Sequence, residues 1–191
     1  MSRREEQLHE MTCLLNEAIP VIKEVLEGFN EQEDVPTEVA VYHNILERFY
    51  YCLQSVECLL DRFNNDVNYK FPIGILIRNG LLDFITSGYL YEKGYSVGNF
   101  PYEFARVNHY FVNNQYNISQ ERRNNNIINQ KEFQEELFVL KNYFPENFLS
   151  VDKNGTPKLK EGINLISPRG MAEKLARHAS VYDLYNYYSQ Y

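Results

Sequence analysis

The chain has no tryptophan, no CxxC pair, no basic excess and no apolar run approaching eighteen residues. Each absence excludes something. Without such a run there is no membrane-spanning helix to expect. Three cysteines, Cys13, Cys52 and Cys58, leave one over after any pairing. They read as reduced thiols packed in a cytosolic core rather than as a disulfide framework. Nineteen Lys and Arg stand against 26 Asp and Glu, a net charge of −7. That argues against a surface wrapping duplex DNA, while a local basic patch and an RNA partner stay open. The segment Met1-Ser2-Arg3-Arg4-Glu5-Glu6 runs into an amphipathic pattern instead of an apolar block, so no secretory signal is expected and the protein is placed in the cytoplasm. Asn117-Ile118-Ser119 is a glycosylation triplet that a cytosolic chain would not use.

The known site signatures are equally sparse. There is no GxxxxGK[ST] or GxGxxG to cradle phosphate, and no GxSxG nucleophile elbow. Glu6-Gln7-Leu8-His9 has the ExxH spacing of carboxylate di-iron bundles. Those sites need two such motifs and two further glutamates from facing helices. With one motif in a first helical turn, the expectation is a solvated face, no metal and no cofactor.

What the sequence does have is helical periodicity, 16 Tyr, 12 Phe and 21 Asn. Buried tyrosines need hydroxyl partners, so a polar-seamed core is expected. Ser2 with Glu5 forms a capping box opening a stripe at Leu8, Met11, Leu15, Ile19, Ile22, Leu26 and Phe29, with Pro20 expected to kink or split the helix. Glu31 to Asp34 reads as an acidic linker. Pro36 and Thr37 then start a second helix with a stripe at Tyr42, Ile45, Phe49, Leu53, Val56, Leu60 and Phe63. After a turn at Asn64-Asn65-Asp66, a third helix runs from about Pro72 to Glu92 with Gly94 as its cap. It is apolar nearly all round, which assigns it to the centre of a bundle. A fourth helix covers roughly Tyr102 to Asn114 with Phe104, Val107 and Phe111 inward. A polar stretch with a possible break follows, and packing resumes at Phe133, Leu137, Leu140 and Phe144. Asn154-Gly155 signals a small ribbon or tight loop. Ser167-Pro168 and then Ser180 with Asp183 open two short closing helices. The reading is therefore all-α: one domain over 1–191, a bundle of four to five long helices, a short C-terminal helical pair and a small Asn-Gly turn or ribbon.

Three groups interrupt the apolar pattern. In the third helix Asn79, Asp83 and Thr86 fall on one face, with Arg78 toward a neighbouring face. Buried charge is costly unless paired, so this cluster either clamps helices together or lines a ligand-binding cleft. In the fourth helix Tyr102, Arg106, His109 and Asn113 step along one side. A histidine exchanging a proton beside an arginine holding developing charge is the chemistry of phosphodiester cleavage; the alternative is a plain surface face. Arg177-His178 are adjacent and point about 100° apart, so they rarely act on one atom. On the last helix Tyr185, Tyr188 and Tyr191 present an interface face, since tyrosine is enriched at interfaces. That stripe is still in phase at Tyr191, so either the helix end docks or the chain is cut from a longer parent.

Two stretches carry a resemblance. Phe71-Pro72-Ile73-Gly74-Ile75-Leu76-Ile77-Arg78-Asn79-Gly80-Leu81-Leu82-Asp83, and Met171-Ala172-Glu173-Lys174-Leu175 followed by Tyr182-Asp183-Leu184-Tyr185 and Ser189, resemble the central and closing helices of uncharacterised bacterial helical proteins. These are similar to the HEPN-like bundles, which include ribonuclease toxins and phage-defence components. The resemblance covers about a third of the chain. HEPN nucleases space Arg and His by four to six residues. Here Arg106 and His109 are separated by two and Arg169 and His178 by eight. The resemblance therefore implies the fold and a non-catalytic binding or assembly role, with a protein partner or homo-oligomer, in phage defence or a toxin–antitoxin system. The competing expectations are a metal-independent ribonuclease using Arg106 and His109 or Arg78 and Asp83, and a nucleotide sensor with a pocket beside Asn79 and Asp83.

Overall fold

A computed structural model describes residues 3–29, 35–63, 67–175 and 179–188. The Ser2 cap, the 31–34 linker, the turn at 64–66, Arg177-His178, Ser189 and Tyr191 lie outside the described residues. Among those described, seven α-helices form: α1 (Arg3–Phe29), α2 (Thr37–Phe63), α3 (Lys70–Tyr89), α4 (Phe100–Asn124), α5 (Gln130–Tyr143), α6 (Pro168–Ala172) and α7 (Ala179–Tyr188). The all-α bundle with five long helices and a short closing pair is what forms. The small ribbon is there too: β1 (Phe148–Val151) and β2 (Pro157–Leu159) pair antiparallel around the Asn-Gly turn, with an irregularity between Phe148 and Val151. Gly155 sits at φ 76° in that turn. The Asp152 carboxylate accepts from the Asn154 and Thr156 amides at 2.8 and 2.9 Å. No described helix is long and apolar enough to cross a membrane.

The chain divides into two compact units, residues 1–89 with 168–191, and residues 90–167. In the first, α3 packs most extensively on α2 and also meets α7 and α6, while α1 packs on α2. The core gathers Leu15 of α1, Val56 and Leu60 of α2 and Ile73 of α3, with Ile77 against it. Helix α2 approaches α3 closely at Gly80, where an added Cβ would lie 3.2 Å from the Phe49 ring. Two expectations are corrected here. Pro20 does not split α1; it and Asn16, whose carbonyl it leaves without a helical donor, are both on the solvent side, where water replaces the lost bond. Nor is α3 sheathed on every side, because Phe71, Ile75 and Phe84 remain exposed.

The second unit opens with a single π-helical turn, Leu90–Gly94, and a 3-10 turn, Tyr95–Val97. Gly94 is therefore not a left-handed cap; the left-handed glycine is Gly98, φ 70°, which closes the 3-10 turn. Gly94 has a different duty: its absent side chain lets the Phe100 backbone pass, at 3.1 Å from where a Cβ would sit. Helix α4 continues through the polar stretch to Asn124. The break falls at Asn126, φ 56°, and α5 restarts on a capping box in which Asn129 caps Glu132 and Glu132 answers. Ile128, Phe133 and Leu137 cluster in the core of this unit with Tyr116 of α4 packed against them, and Val112 of α4 is fully buried. Phe111, expected inward, is 49% exposed, and the fully buried Val112 takes that role.

Candidate functional site

Asp83 of α3 is held by Arg48 of α2. The guanidinium donates to the carboxylate at 2.6 Å, with the Asp83 side chain 16% exposed and that of Arg48 64% exposed. Beside this pair Cys52 donates its thiol proton to the Leu76 carbonyl at 2.8 Å. Burial raises the thiol pKa, so it stays protonated and structural. Arg48, Cys52, Asn79 and Asp83 line an open pocket of about 490 Å³ between α2 and α3. Thr86, assigned to the same face, does not line it.

Arg78 turns the other way. Its guanidinium lies 5.5 Å from the Tyr185 ring centroid and 3.4 Å from the Tyr185 hydroxyl on α7. Arg78 and Asp83 therefore face different neighbours and do not form one reactive pair. Tyr185, placed on an interface face by the sequence, is thus engaged within its own unit. Tyr188 lies 3.7 Å from the missing Cβ of Gly74 and lines a small apolar pocket of about 180 Å³ with Leu8, Met11, Leu60 and Ile77. Among the described residues of α7 the large apolar side chains of Leu184 and Tyr187 are exposed.

In the second unit Arg106 is 14% exposed. It donates to the Glu103 carboxylate at 2.9 Å and to the Asn164 carbonyl at 2.9 Å, and it lies over the Tyr102 ring. His109 meets a different partner. The Asn147 carboxamide, fully buried, places its Nδ2 3.0 Å from both the Ala105 carbonyl and His109 Nδ1. An amide nitrogen only donates, so Nδ1 accepts and the ring proton sits on Nε2. Desolvation lowers the His109 pKa, which favours this neutral form. Two candidate catalytic side chains three residues apart are thus committed to separate structural bonds. Asn113 is exposed and Tyr102 is the platform for Arg106.

The residues that sequence reading missed are the partners: Arg48, Glu103, Asn147 and Asn164. Arg48 appeared only as a polar position on a helical wheel, and nothing local to it names a partner 35 residues away. Among the described residues no group of three or more His, Cys, Asp or Glu is placed to hold a metal ion. His9 is exposed and lies 3.8 Å from the Cys13 sulfur.

The chain matches no known family, no curated protein and no solved structure.

Proposed function

We propose that this chain is a non-catalytic binding or assembly component, in the bacterial phage-defence or toxin–antitoxin setting that the HEPN-like resemblance implies. One observation carries the reading: Arg106 and His109 are each held by their own structural partners. An acid–base pair for phosphodiester cleavage needs both groups turned to one reacting atom. The arginine is neutralised by Glu103, and the Nδ1 lone pair of His109 is used by Asn147. Exposed apolar side chains such as Leu184 and Tyr187 on α7 support a surface that works by contact. Size-exclusion chromatography with light scattering tests the reading. An oligomer or a stoichiometric copurifying protein is expected; a strict monomer with no partner contradicts it.

A second reading has its own support. Asn79 and Asp83 line the open pocket beside Arg48, a setting for a small polar ligand. A rise in melting temperature on adding nucleotides favours that reading, because only a ligand that binds the folded state stabilises it.

A further inference from the structure

Helix α1 carries more apolar surface than its neighbours cover. Its inner stripe, Leu8, Met11, Leu15, Ile19, Ile22, Leu26 and Phe29, turns toward α2 and the core of its unit. Beside it runs a second stripe, Leu14, Ala18, Val21 and Val25, in steps of four, three and four. At about 100° per residue these four side chains fall within roughly 40° of a common line along the helix. Leu14 is 66% exposed, Val21 61% and Val25 45%. Together the two stripes give the helix an apolar arc about half its circumference, wider than one packed neighbour buries. The outer edge of that arc is a row of exposed glutamates at strict seven-residue spacing, Glu10, Glu17 and Glu24. The one lysine of this stretch, Lys23, lies on the opposite side of the helix and pairs with Glu27. From Glu10 to Glu24 the row itself holds no lysine or arginine; Arg3 stands seven residues before Glu10 on the same line.

We propose that this second stripe docks an amphipathic helix of another protein, whose apolar face is edged by Lys or Arg along Glu10, Glu17 and Glu24. The inference rests on the reading of the chain as a binding component and names the partner's chemistry. The spacing is that of a helix–helix seam, in which a and d side chains interlock and flanking charges choose the partner. Those charges also disfavour a second copy of this chain. An antiparallel pair sets Glu10 against Glu17 of the other copy and brings a cation, Arg3, to Glu24 only at the ends of the row. A parallel pair sets the row against Leu15 and Ile22, which are turned inward. An anionic lipid surface is excluded by the same row.

The probe is a fluorescent peptide about three heptads long, with Leu at a and d and Lys at e and g, titrated against the full chain by anisotropy. Three controls accompany it: the same helix with Glu at e and g, a shuffled Lys peptide of equal charge, and phosphatidylglycerol vesicles. The Lys helix is expected to bind at least about tenfold more tightly than either peptide control. Val21→Asp, and independently Leu14→Gln, weaken it at least about tenfold while circular dichroism and melting stay near wild type, because both side chains are exposed. Glu10→Lys, Glu17→Lys and Glu24→Lys together invert the preference toward the Glu helix. Equal binding of the shuffled peptide, unchanged binding by both stripe variants, or vesicle binding lost in those variants overturns the proposal. Light scattering separates its failure from that of the reading beneath it. A chain that takes no Lys helix yet forms an oligomer or holds a copurifying protein loses α1 as the surface and keeps the binding role. A monomer that takes neither peptide removes both.

Discussion

Arg48 and Asp83 close the α2–α3 interface across 35 residues of sequence, with N–O at 2.6 Å, the acid mostly buried and the arginine mostly in water. That asymmetry sets the strength of the pair. Exposed arginines lose side-chain entropy on pairing and are screened by salt, so such pairs contribute about 0.2–1 kcal/mol. A double-mutant cycle with Arg48→Met and Asp83→Asn is expected to give a coupling in that range at low salt, falling as salt rises. A coupling unaffected by salt would mean that the pair is dry.

The neutral state of His109 makes stability depend on pH. Its folded pKa lies below the usual 6.5 because the ring is desolvated. The unfolded chain therefore binds more protons in the window between that lowered value and 6.5. Stability is full above about pH 6.5 and declines as pH falls through the window. Protonation also sets an N–H of the ring against the Asn147 amide. His109→Gln is expected to flatten this part of the pH–stability profile, measured by thermal unfolding between about pH 7 and 5. An NMR titration of His109 with its midpoint above 6.5 would contradict the geometry.

Asn147 is more consequential than its place in a 3-10 turn, Pro145–Asn147, suggests. It has no exposed surface, and its side chain joins the end of α5 to the Ala105 carbonyl and His109 of α4. Asn147→Ala removes two side-chain hydrogen bonds made from a fully buried position and is expected to lower stability by about 1–3 kcal/mol in denaturant unfolding. The exposed Asn142→Ala is the matched control, with an effect within about 0.5 kcal/mol.

Leu137 is fully buried between α4 and α5. Leu137→Ala should cost about 2–5 kcal/mol, by the lost transfer of its side chain plus the cavity left behind. At the start of the same helix, Asn129→Ala removes the acceptor of the Lys131 and Glu132 amides. It should cost about 0.5–2 kcal/mol. Urea midpoints of the two variants give the order: the core change must exceed the cap change.

Periodicity made the helices legible. The stripe from Leu8 to Phe29, the stripe from Tyr42 to Phe63 and the Ser167-Pro168 start each report on one turn of backbone at a time, and each holds. Interruptions were harder to read, because a glycine or proline states only what the backbone tolerates. Gly94 was read as a cap and serves as a close-approach residue. Pro20, expected to kink or split its helix, rides on the solvent face of a helix that runs on past it. The site was the least legible part. Arg78 and Asp83 stand five residues apart in one helix, yet one is answered from α7 and the other from α2. Arg106 and His109 look like a reactive pair until Glu103, Asn164 and Asn147 are in place. Long-range partners carry no local signal, so side chains that are chemically suggestive in sequence become structural only in three dimensions. The outer stripe of α1 shows the converse: Leu14, Val21 and Val25 were passed over because a stronger inward stripe lay beside them.

The central claim is that the arginine and histidine of α4 hold the protein together and do not turn over a substrate. Its most direct test is incubation of purified wild type and His109→Ala with end-labelled single-stranded RNA, read alongside their melting curves. The account expects full-length RNA with both proteins and a lowered melting temperature for the variant alone. Cleavage by the wild type that disappears in a His109→Ala protein of unchanged stability would contradict it.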